Sequence, residues 1–157
     1  MIKTERLKIY PASKADAELL VSMQTDAQLK RAYTQMLNLG LAFPELWQWY
    51  APWIISKKDG TNIGDLSFKG ISSDGSVEIG YLILTEYQNK GYATEAVKAA
   101  VRWAISQPNI KRVIAQVHLD NMPSQKVLIK SGFENTEAFG KEGIIFIYKG
   151  EAFNEQS

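Results

Sequence analysis

The residues whose types and spacing could do chemistry cluster in two short polar stretches, Gln88-Asn89-Lys90-Gly91-Tyr92-Ala93-Thr94 and Asp120-Asn121-Met122-Pro123-Ser124. The first follows an apolar run rich in β-formers, Glu78–Leu84. It precedes a segment in which Ala93, Ala96, Val97, Ala100, Val101 and Ala104 recur on one helical face. A strand, a tight loop and a helix N-terminus in that order make an anion site. The first N–H groups of a helix have no internal partner, and the helix dipole adds partial positive charge there. Gly91 has no Cβ to block a close approach, Ala93 keeps the next position small, and Lys90 adds a full charge. The guest that suits this chemistry is a phosphate or pyrophosphate. An ordinary strand–loop–helix connection with no guest fits the local pattern equally well. The loop lacks the G-x-x-x-x-G-K-[ST] spacing of a P-loop and the three glycines of a dinucleotide fingerprint.

Acid–base chemistry has two further candidates. Glu78 opens the strand before the loop, and His118 lies on a later strand; either could act as a general base through water. Glu78 could equally pair with a basic neighbour, and His118 could be a structural strand-end residue. The chain has no cysteine and one histidine, so disulfides, a thiol nucleophile and a metal centre are not expected. A formal net charge of +1 gives no global field to recruit nucleic acid or an anionic bilayer. MIKTERLKIY contains no long apolar run, so neither a signal peptide nor a membrane span is expected, and a cytoplasmic enzyme is the simplest class.

The elements that must position these residues follow from pattern and punctuation. Lys3–Tyr10 reads as a strand ended by Pro11. Ser13 with Asp16 three residues on starts a helix whose buried face would be Ala15, Leu19, Leu20 and Met23. Asp26–Tyr33 reads as a second short helix and Asn38–Pro44 as a loop. Phe43, Leu46, Trp47 and Tyr50 can share one helical face. Such rings suit core packing, a dimer contact or an acceptor pocket that holds an amine by cation–π contact. Trp53–Lys57, Asn62–Ile71 and Val77–Leu84 read as an antiparallel meander. They are followed by a helix over Tyr92–Ser106, a strand over Lys111–Leu119, a helix over Pro123–Ser131 and a hairpin of Phe133–Lys141 with Gly143–Lys149. The class is α+β. Residues 1–150 form a single domain in this scheme, and 151–157 a frayed tail.

Gln88-Asn89-Lys90-Gly91-Tyr92-Ala93 resembles the [RQ]-x-x-G-x-[GA] loop of the GNAT N-acetyltransferase superfamily, which holds the pyrophosphate of coenzyme A. The block from Asp120-Asn121 through Ser124 to Lys130-Ser131-Gly132-Phe133 is similar to that family's N-x-x-[SA]…K-x-G-F block. The two occur in the family's order and at its separation. Thr4-Glu5-Arg6-Leu7, EIGY and KGYATEA look closest to the branch containing the ribosomal-protein N-terminal acetyltransferases.

The resemblance implies a mixed, mostly antiparallel central sheet of about seven strands with flanking helices, parted between strands 4 and 5. Pantetheine would add to the freed strand edge. It implies direct acetyl transfer from acetyl-CoA to an amine, with a backbone N–H near Ile83 or Leu84 facing the oxyanion. Amides of Asn89–Thr94 would hold the pyrophosphate, and Asn121 would bond pantetheine, cap a helix, or do both. Many relatives carry a tyrosine general acid seven residues after that asparagine. Here the position is Leu128, and Ser124 is the nearest hydroxyl to meet the departing sulfur, or else only a helix-start residue. A site without a committed base suits an α-amine of pKa about 7.7–8.0 better than a lysine or polyamine near about 10.4. The expected acceptor is thus a protein or peptide N-terminus. A small-molecule amine and a non-catalytic CoA-binding regulator are the alternatives, and a homodimer fits the aromatic excess.

Overall fold

The computed structural model describes residues 1–150. The tail expected at 151–157 lies outside the described residues. In chain order the elements are β1 (Ile2–Lys3), β2 (Leu7–Pro11), α1 (Lys14–Met23), α2 (Ala27–Ala42), a 3-10 turn at Pro44–Leu46 and α3 (Trp47–Tyr50). Then come β3 (Trp53–Lys57), β4 (Asn62–Ser67), β5 (Ser76–Glu78), β6 (Gly80–Ile83), a 3-10 turn at Thr85–Tyr87 and α4 (Tyr92–Ser106). The described chain closes with β7 (Arg112–Val117), α5 (Met122–Lys130), β8 (Phe133–Phe139) and β9 (Ile144–Tyr148).

The expected fourth strand is broken, and that break makes the site. β5 pairs in parallel with β7, Val77 opposite Val113. The Ile79 N–H donates to Ile114 O at 2.8 Å. Beyond Ile79 the chain leaves β7, and β6 pairs antiparallel with β4, Leu82 opposite Asp65. The result is a five-stranded sheet, β1-β2-β3-β4-β6, and a four-stranded one, β5-β7-β9-β8, sharing one long strand that crosses between them. The expected first strand is also broken, at Thr4-Glu5-Arg6, because Thr4 N–H bonds Leu7 O and the turn's side chains reach toward α4. Counting each broken strand once recovers about seven.

One core joins both sheets to α4. Ala96, Val97, Ala100, Val101 and Ala104 are fully buried, and their small size lets α4 lie close to Leu66, Phe68, Val113 and Ala115. Trp49, Trp53, Phe68 and Trp103 stack in this core with ring centroids 4.8–5.7 Å apart. Trp49 and Trp53 are therefore core residues. Phe43, on the expected aromatic face, is 43% exposed.

The N-terminal helices depart from expectation. Ser13 Oγ accepts from Asp16 N as the cap predicts. Yet the buried face of α1 is Ala17 with Leu20, while Leu19 and Met23 are exposed. α2 continues through the expected loop to Ala42. Gly40 does not break it, because a Cβ there would lie 2.6 Å from the Trp47 ring; the glycine is packing space. The helix ends at the residue before Pro44, where α geometry is disfavoured.

Candidate active site

The gap between β6 and β7 opens as a groove of about 730 Å³, with α5 as its far wall and the start of α4 as its outer end. Of the residues singled out in the sequence, Ile83, Gln88, Asn89, Gly91, Tyr92, Ala93, Thr94, Asn121 and Ser124 line it. Leu84, Lys90, Glu78 and His118 do not.

Gly91 is the N-cap of α4 and holds a left-handed backbone at φ +82°, preceded by Asn89 at φ +63°. An L-residue adopts this at a cost, whereas glycine does so freely. The turn aims the first amides of α4 into the groove. Among the described residues no protein acceptor takes the N–H groups of Asn89, Lys90, Gly91, Tyr92, Ala93 or Thr94. Lys126 and Lys130 line the opposite wall.

The loop is braced from far away in sequence. Glu95, in the first turn of α4, accepts from Thr4 Oγ1, Arg6 N and Arg6 Nε. Arg6 Nη1 donates to Lys90 O at 3.0 Å, and its guanidinium lies 4.3 Å from the Tyr92 ring centroid. Arg6 Nη2 sits 3.3 Å from where a Gly91 Cβ would be. The Lys90 side chain is exposed, so its carbonyl is what anchors the loop. Burial alone would raise the Glu95 carboxyl; the bonds from Thr4 and Arg6 outweigh it and hold Glu95 below the usual range.

At the strand end, Leu84 N–H is already bonded to Ile63 O at 2.9 Å. Antiparallel pairs alternate between bonded and non-bonded positions. Since Leu84 faces Ile63 in a bonded pair, Ile83 opposite Gly64 is non-bonded and turns its N–H to the gap. The Ile83 carbonyl is held by Gln88 Nε2 at 2.8 Å, so Gln88 acts as a strut between loop and strand. Across the groove Asn121 caps α5, its Oδ1 accepting from Ser124 N at 3.1 Å, which leaves its side-chain N–H₂ for another acceptor. Leu128 is fully buried in the main core.

Glu78 is engaged elsewhere. It pairs with Lys69 at 2.8 Å and accepts from Gln116 Nε2 at 3.0 Å, and Lys69 also reaches Glu142. His118 is exposed just past β7, where its carbonyl accepts from Asn121 N. Two residues beside the groove escaped the sequence reading. Tyr81, on the groove wall, places its Oη 2.6 Å from Ser124 Oγ. Asp65 on β4 is the register partner of Leu82, which lines the groove, and accepts from Tyr33 Oη at 2.7 Å. No basic side chain pairs with Asp65 among the described residues. Burial pushes its carboxyl up to about 6 against the opposing pull of the Tyr33 hydrogen bond.

Free amides at a left-handed turn, facing lysines and a strand edge left unpaired: this is a site for an extended ligand with a phosphate end and an amide-bearing arm, which fits coenzyme A. Among known proteins, the family described as "Acetyltransferase (GNAT) domain" matches residues 6–134. A Bacillus subtilis relative, "Uncharacterized N-acetyltransferase YjdG", is 40% identical over 83 residues, which cover 52% of this chain and 49% of that protein. The matched stretch thus spans about half the relative's length. RimL, a ribosomal alpha-N-protein acetyltransferase solved with coenzyme A, superposes with a TM-score of 0.70 at 17% identity over 92% of this chain and 93% of that one. A chimera of Vibrio cholerae spermidine N-acetyltransferase SpeG with hSSAT gives 0.70 at 15% identity over 90% of this chain and 94% of that one. At such identities these two likenesses establish the shared fold alone. With the family match spanning most of the chain, from Arg6 to Glu134, the chain belongs to the GNAT acetyltransferase family.

Proposed function

We propose that this protein transfers the acetyl group of acetyl-CoA directly to a primary amine, and that the amine is the N-terminus of a protein or peptide. The observation that carries this is the left-handed Gly91 turn, which opens α4 onto a groove where the Ile83 N–H also stands free. Acetyl-CoA supplies an activated thioester. Amides of Asn89–Thr94 hold its pyrophosphate, Gln88 and the Lys90 carbonyl keep that loop in shape, and the Asn121 amide bonds the pantetheine arm. The Ile83 N–H stabilises the oxyanion; Leu84 shapes the strand end beside it. Such a donor lowers the barrier because it is fixed before charge develops. The amine nitrogen bonds to the acetyl carbon, the C–S bond breaks with its electrons on sulfur, and the amine's extra proton passes to water. Ser124 faces the sulfur.

A thiol leaves readily at a pKa of about 8.5, so no strong acid is required. Glu78 and His118 are the candidates for drawing the amine proton off through water. Both lie outside the groove lining, which fits an acceptor that is already partly neutral at pH 7. The compartment we propose is the cytoplasm.

A small polycationic amine is the second possibility, and one feature favours it: among the described residues no basic side chain pairs with Asp65, a carboxylate beside the groove. A thiol-release assay with acetyl-CoA separates the two. The amine panel is peptides with Ala, Ser or Met N-termini, N-acetylated lysine peptides, spermidine and an aminoglycoside. Turnover with the free N-terminal peptides is expected. Turnover with spermidine or the aminoglycoside alone refutes the N-terminal acceptor, and calorimetric CoA binding with no turnover on any amine favours a non-catalytic CoA-binding regulator.

A further inference from the structure

Two hydroxyls face each other across the parted strands. Tyr81 comes from β6 and Ser124 from the first turn of α5, and both line the groove. Tyr81 Oη lies 2.6 Å from Ser124 Oγ and 3.2 Å from the Ser124 carbonyl oxygen. Each hydroxyl has one proton to donate and can accept twice. If Ser124 donated to Tyr81, the serine's proton would be consumed in this contact, and the phenol would be left with the longer bond to a carbonyl. That carbonyl already serves the α5 ladder. If Tyr81 donates to Ser124 Oγ, the phenol, the stronger acid of the two, makes the short bond. The serine's own proton is then free to point into the groove. The 2.6 Å contact is common to both arrangements, and the greater acidity of the phenol is what favours the second.

We propose that Tyr81 is a positioning residue for acetyl transfer: it holds Ser124 as an acceptor, so that the serine hydroxyl donates to the CoA sulfur as the C–S bond breaks. This rests on the function proposed above. Tyr81 gives up no proton in the reaction; it fixes where the Ser124 proton points, and the thiolate leaves with a hydrogen bond already in place. Burial raises the Tyr81 phenol above its usual range, against the pull of its bond to Ser124, so it stays a protonated donor through the neutral range. With Leu128 packed into the core, the phenol on the opposite wall orients the donor at the sulfur.

The test uses the full chain, Tyr81→Phe, Ser124→Ala and the double variant. CoA affinity is measured by calorimetry, and ionisation of the bound CoA thiol by the thiolate's ultraviolet absorbance against pH, which needs no acceptor. In the wild type the bound thiol is expected to ionise at lower pH than in free CoA. Ser124→Ala and Tyr81→Phe should each remove that shift, and the double variant should remove no more than Ser124→Ala alone. CoA affinity should hold to within about threefold while kcat on a turned-over amine falls about tenfold. A Tyr81→Phe titration identical to wild type, or additive losses in the double variant, overturns the inference. A wild type that binds no CoA overturns the function proposal itself and leaves the pair a structural contact only.

Discussion

Asp65 is a carboxylate that the fold holds against its own preference. Its folded value of about 6 exceeds its ordinary 3.8, so the folded state binds the proton more tightly than the unfolded chain. Its stabilising contribution is therefore complete below 3.8 and is lost as pH rises through about 6. Asp65→Asn keeps an oxygen for the Tyr33 hydroxyl and removes the buried charge. It is expected to raise stability at pH 7 by about 2 kcal/mol and to make no difference below about pH 4, read from urea midpoints across that range. Gly91 tests the opposite demand. Gly91→Ala places a side chain at φ +82°, which should cost about 1–2 kcal/mol in folding and, by crowding the pyrophosphate's approach, at least tenfold in calorimetric CoA affinity. Gly91 was legible because everything that defines it, from Glu78 to Ala104, is contiguous. Tyr81, Arg6 and Asp65 were not, because what gives each its role is a partner 32 or more positions away.

At the scale of elements, the joint between the β1–β2 turn and the first turn of α4 is the most exposed to test. Glu95→Ala removes three hydrogen bonds from Thr4 and Arg6 at once. The expected loss is about 1–3 kcal/mol in stability together with weaker CoA binding, because Arg6 also anchors Lys90 O. Since Glu95 is held below its ordinary carboxylate value, the clasp contributes fully above that value and is lost as pH falls through the lower folded one. The gap in thermal midpoint between wild type and Glu95→Ala should therefore close on acidification. Helix α4 was legible to its bounds, Tyr92–Ser106, because its five buried positions repeat without interruption and a proline follows. The α2 helix runs well past the expected end at Tyr33 to Ala42, and only the Trp47 ring shows why a glycine belongs at position 40 within it. The break at Ile79 is invisible in a run that reads as one strand, since its cause is a change of partner strand.

Across the whole molecule, fold and family were legible because two motifs sit at a fixed separation in a chain of ordinary composition, whereas the acceptor was not. Polar side chains from distant stretches meet only in three dimensions, as Lys69, Glu78, Gln116 and Glu142 do with one another and Asp65 does with Tyr33. The clasp has a consequence of another kind, in time. Thr4 and Arg6 lie 91 and 89 positions from Glu95. In a chain made from its N-terminus they wait for most of the protein to emerge before their partner exists. Closing so distant a contact is an entropically slow step. The loop around Gly91 is therefore expected to reach its final shape late, so that, with the function proposed above, CoA binding would mark completion of the fold rather than its beginning.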